Sequence, residues 1–138
     1  MLLWMLAPDY VYNNIMKDIP NYEGLYAATE DGHIWSYPKS KHPIIGRYLK
    51  EQLQVTTHNR IRPHNQLVVS LWKNRKREMF LVHRLIAATF IQNLENKSDI
   101  NHKDGNPLNN EISNLEWCSK KENMKHAIDT GLFNQYTH

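Results

Sequence analysis

Residues 99–131 leave this chain little choice of local fold. Asp99-Ile100-Asn101-His102 reads as a short strand, Asp104-Gly105-Asn106-Pro107 is a strong turn signal, and Leu115-Glu116-Trp117-Cys118 reads as a second strand. Ser119-Lys120-Lys121-Glu122 then has the form of a capping box, in which the Ser119 hydroxyl accepts from the Glu122 amide while the Glu122 carboxylate reaches back. A helix is expected from Lys120 to about Thr130, closed by Gly131. Strand, long polar loop, strand and capped helix make a ββα unit.

The side chains of that unit point to chemistry. Histidine is the residue type able to take a proton from water near neutral pH, its free side chain titrating at about 6.5, and His102 is the candidate base of this unit. Asn101 and His102 are neighbours on a strand, so their side chains leave on opposite faces unless a local twist brings both to the rim. Asn123 falls one turn into the helix, with His126 three residues on along the same side. A hard divalent cation takes oxygen ligands, and the carbonyl oxygens of Asn101 and Asn123 can supply two of them. That set suits Mg²⁺, which keeps much of its water shell, and Mn²⁺ is the natural substitute. Asn114 is placed to tie the loop together through backbone hydrogen bonds. Asp104, Gly105, Asn106, Asn109 and Asn110 read as turn and loop residues. Any one of these asparagines is explained by loop geometry alone, because asparagine tolerates left-handed backbone angles. The whole set, with His102 and the capped helix, is not.

Charge adds a second signal. The chain carries a net +3, but residues 33–77 hold ten lysines and arginines against Glu51 alone, a local +9. An excess of that size is the footprint expected for a phosphate backbone. Lys73, Arg75, Lys76 and Arg77 lie in the basic connector between two β-rich runs at 66–72 and 78–82, which suggests a hairpin with a cationic tip; Arg60 and Arg62 precede it. Residues 18–37 read as two short strands around Asp31-Gly32, flanked by Leu25-Tyr26 and Ile34-Trp35. From Val82 to Ile91 an apolar stripe of Val82, Leu85, Ile86, Ala87, Ala88 and Phe90 predicts a helix, with His83 and Arg84 off the stripe. His83, Arg84 and His126 are read as supporting or phosphate-facing residues.

At 138 residues the chain can bury one modest core, and the single cysteine, Cys118, rules out an internal disulfide and a cysteine-based structural zinc site. A reducing, intracellular and cytoplasmic setting is expected. The apolar opening Met1–Pro8 is too short to span a membrane and lacks the basic flank of a signal peptide, so it is read as core-packing or frayed chain.

The order His102, Asn114, Asn123, within Asn-His-Lys-Asp-Gly-Asn-Pro-Leu-Asn-Asn and Asn-Leu-Glu-Trp, resembles the HNH endonucleases of the phage homing type, built on the ββα-metal (His-Me) finger. Val82-His83-Arg84-Leu85-Ile86-Ala87 looks like the helix that precedes the finger in this group. Ile19-Pro20-Asn21-Tyr22-Glu23-Gly24-Leu25-Tyr26 looks like the small β module found upstream. The resemblance covers roughly residues 18–131. It implies an α+β chain: an extension (1–17), a small antiparallel, basic DNA-binding β module (18–80), an HNH nuclease domain with its preceding helix (81–131), and a tail (132–138). It further implies a one-metal phosphodiesterase acting on double-stranded DNA. His102 would be the general base, Asn101 and Asn123 the Mg²⁺ ligands and Asn114 the brace of the loop, and the products would carry a 5′-phosphate and a 3′-hydroxyl. Position 101 is Asn where some relatives carry Asp, and His126 is near enough to compete with Asn123. The helical DNA-binding region that often follows in this group has no counterpart before His138, which leaves recognition to the basic β module or makes it relaxed. No membrane contact is expected. A monomer or weak dimer is expected, with a nick or a double-strand cut as the outcome; cutting both strands from one site would need a dimer or two sequential nicks, and no dimerisation surface is legible. The competing readings are a DNA-binding module with weak or no activity, and a nonspecific nuclease acting on DNA or RNA.

Overall fold

The computed structural model describes residues 15–39, 45–56 and 64–132. Arg60, Arg62, the apolar opening at 1–8 and most of the expected tail lie outside these described residues.

Among the described residues, three antiparallel sheets and two α-helices follow one another. The first sheet has four strands in the order β1 (Met16–Asp18), β2 (Tyr26–Thr29), β3 (Ile34–Ser36) and β4 (Arg47–Tyr48). The expected pair around Asp31-Gly32 is β2 and β3, in the register Tyr26↔Ser36, Ala27↔Trp35 and Ala28↔Ile34. Gly32 stands in the turn at φ +92, a conformation that a side chain at this position would resist. Leu25, expected as an apolar flank, is instead 38% exposed, because the strand starts one residue later with the buried Tyr26. Strands β1 and β4 were not visible in the sequence. They are two or three residues long and owe their order to the strands beside them.

The second sheet runs β5 (Gln52–Thr56), β6 (His64–Lys73), β7 (Lys76–Leu81). The expected basic hairpin is β6–β7, with a narrower turn than its sequence indicated. Only Asn74 and Arg75 lie outside the strands, both at positive φ (51 and 64), as the tight two-residue hairpin turns require. Lys73, Lys76 and Arg77 are strand residues, since the register Lys73↔Lys76 and Trp72↔Arg77 continues up to the turn.

Helix α1 (Val82–Phe90) leaves β7 directly and buries Val82, His83, Leu85, Ile86, Ala87 and Thr89. Two expectations are corrected here. Ala88, placed on the apolar stripe, is exposed, and His83, placed off it, is only 5% exposed. The ββα unit follows as expected: β8 (Asp99–His102), a polar loop ending in a 3₁₀ turn (Ile112–Asn114), β9 (Leu115–Cys118) and α2 (Lys120–Asp129). Both arms of the capping box form, at 3.1 Å from the Glu122 amide to Ser119 Oγ and 2.8 Å from the Ser119 amide to Glu122 Oε2.

The larger apolar cluster runs through all these parts. Ile19 and Tyr22 of the β1–β2 connection and Tyr26, Ala28 and Ile34 of the first sheet meet Val69 and Leu71 of β6, Val82, Leu85, Ile86 and Ala87 of α1, and Ile100 and Leu115 of the finger. Polar ties reinforce it: the Trp72 amide donates to Tyr26 Oη at 3.0 Å, and Trp117 Nε1 donates to the Ile91 carbonyl at 2.9 Å. The first sheet, the hairpin and the finger therefore share one core, and α1 is its centre. No helix among the described residues is long and apolar enough to cross a membrane.

Candidate active site

The β8–β9 register pairs Asn101 with Glu116 and His102 with Leu115, which sets adjacent residues against different partners. The His102 ring places Nε2 3.0 Å from Asn110 Oδ1. A carboxamide oxygen only accepts, so Nε2 carries the proton and Nδ1 keeps its lone pair. Nδ1 has no hydrogen bond among the described residues. Against this ring the buried His83 stacks edge-on, with centroids 5.2 Å apart and planes at 72°. His83 Nδ1 is buried with no hydrogen-bond partner among the described residues. Burial first, then the neighbouring His102 and Arg84, push the His83 pKa down to about 4, so this ring is neutral at pH 7. Arg84 points elsewhere and donates from Nη2 to the Ser98 carbonyl at 3.1 Å.

Asn114 holds the loop that carries these groups. It is buried; its Oδ1 accepts from the Asp104 amide at 3.0 Å, and its Nδ2 donates to Asp104 Oδ1 and the Asn109 carbonyl, both at 2.9 Å. The Asp104 carboxylate also accepts from Asn109 Nδ2 and the Asn106 amide, each at 2.8 Å. The Asn109 bond is the main cause that lowers its pKa below the usual carboxylate value. Of the asparagines read as loop residues, Asn106 and Asn109 act within the loop, whereas Asn110 reaches across to His102.

Asn101 is 6% exposed, and its Nδ2 donates to Glu116 Oε1 at 2.8 Å. Its Oδ1 has no partner among the described residues, so the amide is turned with its oxygen uncommitted. Helix α2 packs on β8 and β9 and carries Asn123 in its first turn, half-buried and with no side-chain hydrogen bond among the described residues. His126 lies one turn on, also half-buried. No group of three or more His, Cys, Asp and Glu side chains that could hold a metal occurs among the described residues. The donors on offer are amide oxygens with one carboxylate beside them. They fit a hard cation that keeps several waters, not a tetrahedral site of thiolate and imidazole. The one thiol, Cys118, is buried, which pushes its pKa up to about 11 and keeps it protonated.

A model of the HNH endonuclease family matches residues 80–125, from the end of β7 through most of α2. Residues 80–125 are thus an HNH endonuclease segment of the chain. Its similarity extends well beyond the finger. The uncharacterized HNH endonuclease L245 of Acanthamoeba polyphaga mimivirus is 39% identical over 105 residues, covering 76% of this chain and 28% of that protein. DNA endonuclease I-HmuI of Bacillus phage SP01 is 34% identical over 118 residues, covering 86% of this chain and 60% of that protein. The solved structure of DNA binding and cleavage by the HNH homing endonuclease I-HmuI matches with a TM-score of 0.68 at 33% identity, over 85% of this chain and 59% of that one. The mixed α+β architecture is thus that of an HNH homing endonuclease. The chain spans less than two thirds of the length of each of these relatives.

The basic surface of this HNH protein is less uniform than its sequence. Lys73 Nζ lies 5.5 Å from the Tyr22 ring centroid and donates to the Asn21 carbonyl. Lys76 pairs with Glu78 at 2.8 Å, just beyond the +9 window, and Arg77 Nε donates to Ser70 Oγ at 2.9 Å. Arg75, at the turn, is exposed and has no partner among the described residues. Beside the tip, Leu49, Lys50, Gln52, Ser70, Trp72 and Arg77 line a shallow open groove.

Two contacts were missed in the sequence. The Asn101–Glu116 pair was within reach of hairpin counting, since the two residues are direct partners in the β8–β9 register. The His102–Asn110 bond had no such signal, because it joins a strand to an irregular loop eight residues away.

Proposed function

We propose that this chain is a DNA endonuclease that hydrolyses phosphodiester bonds with the help of one divalent cation, Mg²⁺ or Mn²⁺. The observation that carries the reading is the pair of uncommitted atoms on consecutive residues: His102 Nδ1, with Nε2 tied to Asn110, and Asn101 Oδ1, with Nδ2 tied to Glu116. One is a base for a water and the other an oxygen donor for a hard cation.

In the reaction, His102 Nδ1 accepts a proton from the attacking water as oxygen approaches phosphorus. Asn101 and Asn123 are the residues that would hold the cation. When bound, it supplies stabilisation of the charge that builds on the phosphate and the leaving 3′ oxygen. Asn114 and Asp104 keep the loop behind His102 in one shape, which preserves the alignment that a single proton transfer needs. The buried neutral His83 gives the base an apolar-edged neighbour with no charge of its own at pH 7. The bond from phosphorus to the 3′ oxygen breaks as the new bond forms and the leaving oxygen takes a proton from solvent water, so the products are a 5′-phosphate and a 3′-hydroxyl.

Double-stranded DNA is the substrate this arrangement suits. Arg75 at the hairpin tip and the groove of Lys50, Trp72 and Arg77 supply cations and an aromatic surface for a backbone outside the cutting site. Residues 18–80 would then hold the duplex and residues 81–131 cut it, in a monomer or weak dimer.

The test is incubation of the protein with supercoiled plasmid and with single-stranded RNA, each with Mg²⁺ and with EDTA. Nicked or linear plasmid in Mg²⁺ alone, with RNA intact, is the expected result. Plasmid untouched in both Mg²⁺ and Mn²⁺ would leave a binding module without activity. Equal loss of RNA would make the protein a nonspecific nuclease.

A further inference from the structure

We infer that Asn110 is the positioning residue of the general base, and that the β2–β3 turn of the upstream sheet holds Asn110 in place, so the β module is part of the reaction centre. The inference rests on the role of His102 proposed above.

Asn110 is 4% exposed and uses its side-chain oxygen on His102 Nε2 at 3.0 Å. Its Nδ2 is buried with no hydrogen-bond partner among the described residues. A buried donor left without a partner is costly, and loop packing alone gives no reason to keep an amide there. An acceptor aimed at Nε2 does: it fixes which ring nitrogen carries the proton, and stops the ring from rotating its basic nitrogen away from the water.

What fixes Asn110 comes from far upstream. A methyl group on Gly32 would lie 2.5 Å from the Asn110 carbonyl carbon and 2.6 Å from its oxygen, so the turn is packed directly on the Asn110 backbone. Two residues further on, the Ile112 amide donates to the Glu30 carbonyl at 3.0 Å. The turn itself is held by its own bonds: Thr29, fully buried, donates its hydroxyl proton to Asp31 and accepts from the His33 amide at 3.0 Å. A rigid turn in one sheet is thereby clamped to the loop that orients the base in another. Gly32 answers two demands at once, a positive φ of 92 and the absence of a Cβ.

The test combines imidazole ¹H–¹⁵N spectra with cleavage kinetics. In wild type, one imidazole cross-peak, identified by its absence in His102→Ala, should report a protected Nε2–H. Asn110→Ala should lose that signal through fast exchange and lower kcat by about a hundredfold with little change in KM, the scale expected when a reacting group is misplaced. Gly32→Ala should speed exchange of the same proton and lower kcat in the same direction. A cooperative melt checks that each variant is folded. An active enzyme whose Asn110→Ala variant keeps both the cross-peak and the rate would overturn the Asn110 role while leaving His102 as base. Wild-type protein inert towards DNA would overturn the base reading, and with it the catalytic half of this inference. A Gly32→Ala variant that is folded and unchanged in both readouts would overturn the link to the upstream sheet.

Discussion

The hairpin sheet buries Val69 and Leu71 almost completely, whereas helix α2 of the finger buries no residue at all. The sheet and its neighbours are held by apolar packing around α1. The finger beyond Ile100 and Leu115 is held by polar side chains: Asn114 on Asp104 and Asn109, Asn101 on Glu116, Asn110 on His102, and the Ser119–Glu122 box. The difference follows from what each region must present. A proposed cutting site has to offer oxygen and nitrogen atoms to water, cation and phosphate, so it cannot be built from a dry core. Hydrogen bonds are directional and set the orientation of an imidazole more sharply than packing does. They also contribute less net stability each, and the finger borrows the rest from α1 through Ile100, Leu115 and the Trp117 bond.

The largest expected break in this contrast is Leu71→Ala. Leu71 is fully buried, and its truncation should cost about 2–5 kcal/mol in chemical denaturation. The finger should unfold with the sheet in one transition. A cost below about 1 kcal/mol would mean that the sheet is not anchored in the shared core.

A pH titration of stability addresses the contact between the regions. The His83 pKa is lowered to about 4 by burial, His102 and Arg84, against 6.5 when unfolded. The unfolded chain therefore binds the proton first on acidification. The neutral-His83 contribution is fully present above about pH 6.5 and is lost as pH falls towards about 4, up to about 3 kcal/mol in all. Comparison with His83→Asn isolates it from the carboxylates, and a variant with the same slope in this window would contradict the burial argument.

Asn114→Ala sharpens the contrast within the finger. It leaves the Asp104 amide and the Asn109 carbonyl short of partners, at about 1–3 kcal/mol. Amide exchange should quicken through 103–114 and remain slow in β6 and β7. Uniform quickening would show that the polar loop and the apolar sheet open together. The smallest effect belongs to the hairpin tip. Arg75→Ala should reduce the slope of log affinity for duplex DNA against log salt by about 0.9, one phosphate contact, whereas Lys76→Ala should change it less because Glu78 already neutralises Lys76. Equal slopes for both variants and wild type would turn the tip to solvent.

The same division explains what could be read from sequence. The capping box and the strands β8 and β9 are specified by neighbours within a few residues, and they stand where the sequence puts them. His83 could not be placed, because its burial is decided by a ring from another element, which an apolar stripe does not count. Strand β5 escaped notice because its apolar residues Leu53 and Val55 are few, stand about half exposed and lie outside the shared core. Asn110 looked like its neighbours Asn106 and Asn109; only the fold turns it towards His102.

The general-base role proposed for His102 separates a working ring from a structural one. Its direct test is Mg²⁺-dependent plasmid cleavage by wild type and His102→Ala, with duplex binding measured on the same preparations. Cleavage should fall by about 10²–10⁴-fold, the contribution of a positioned general base, while duplex affinity stays within about a factor of two. A His102→Ala variant that cuts at the wild-type rate would contradict it.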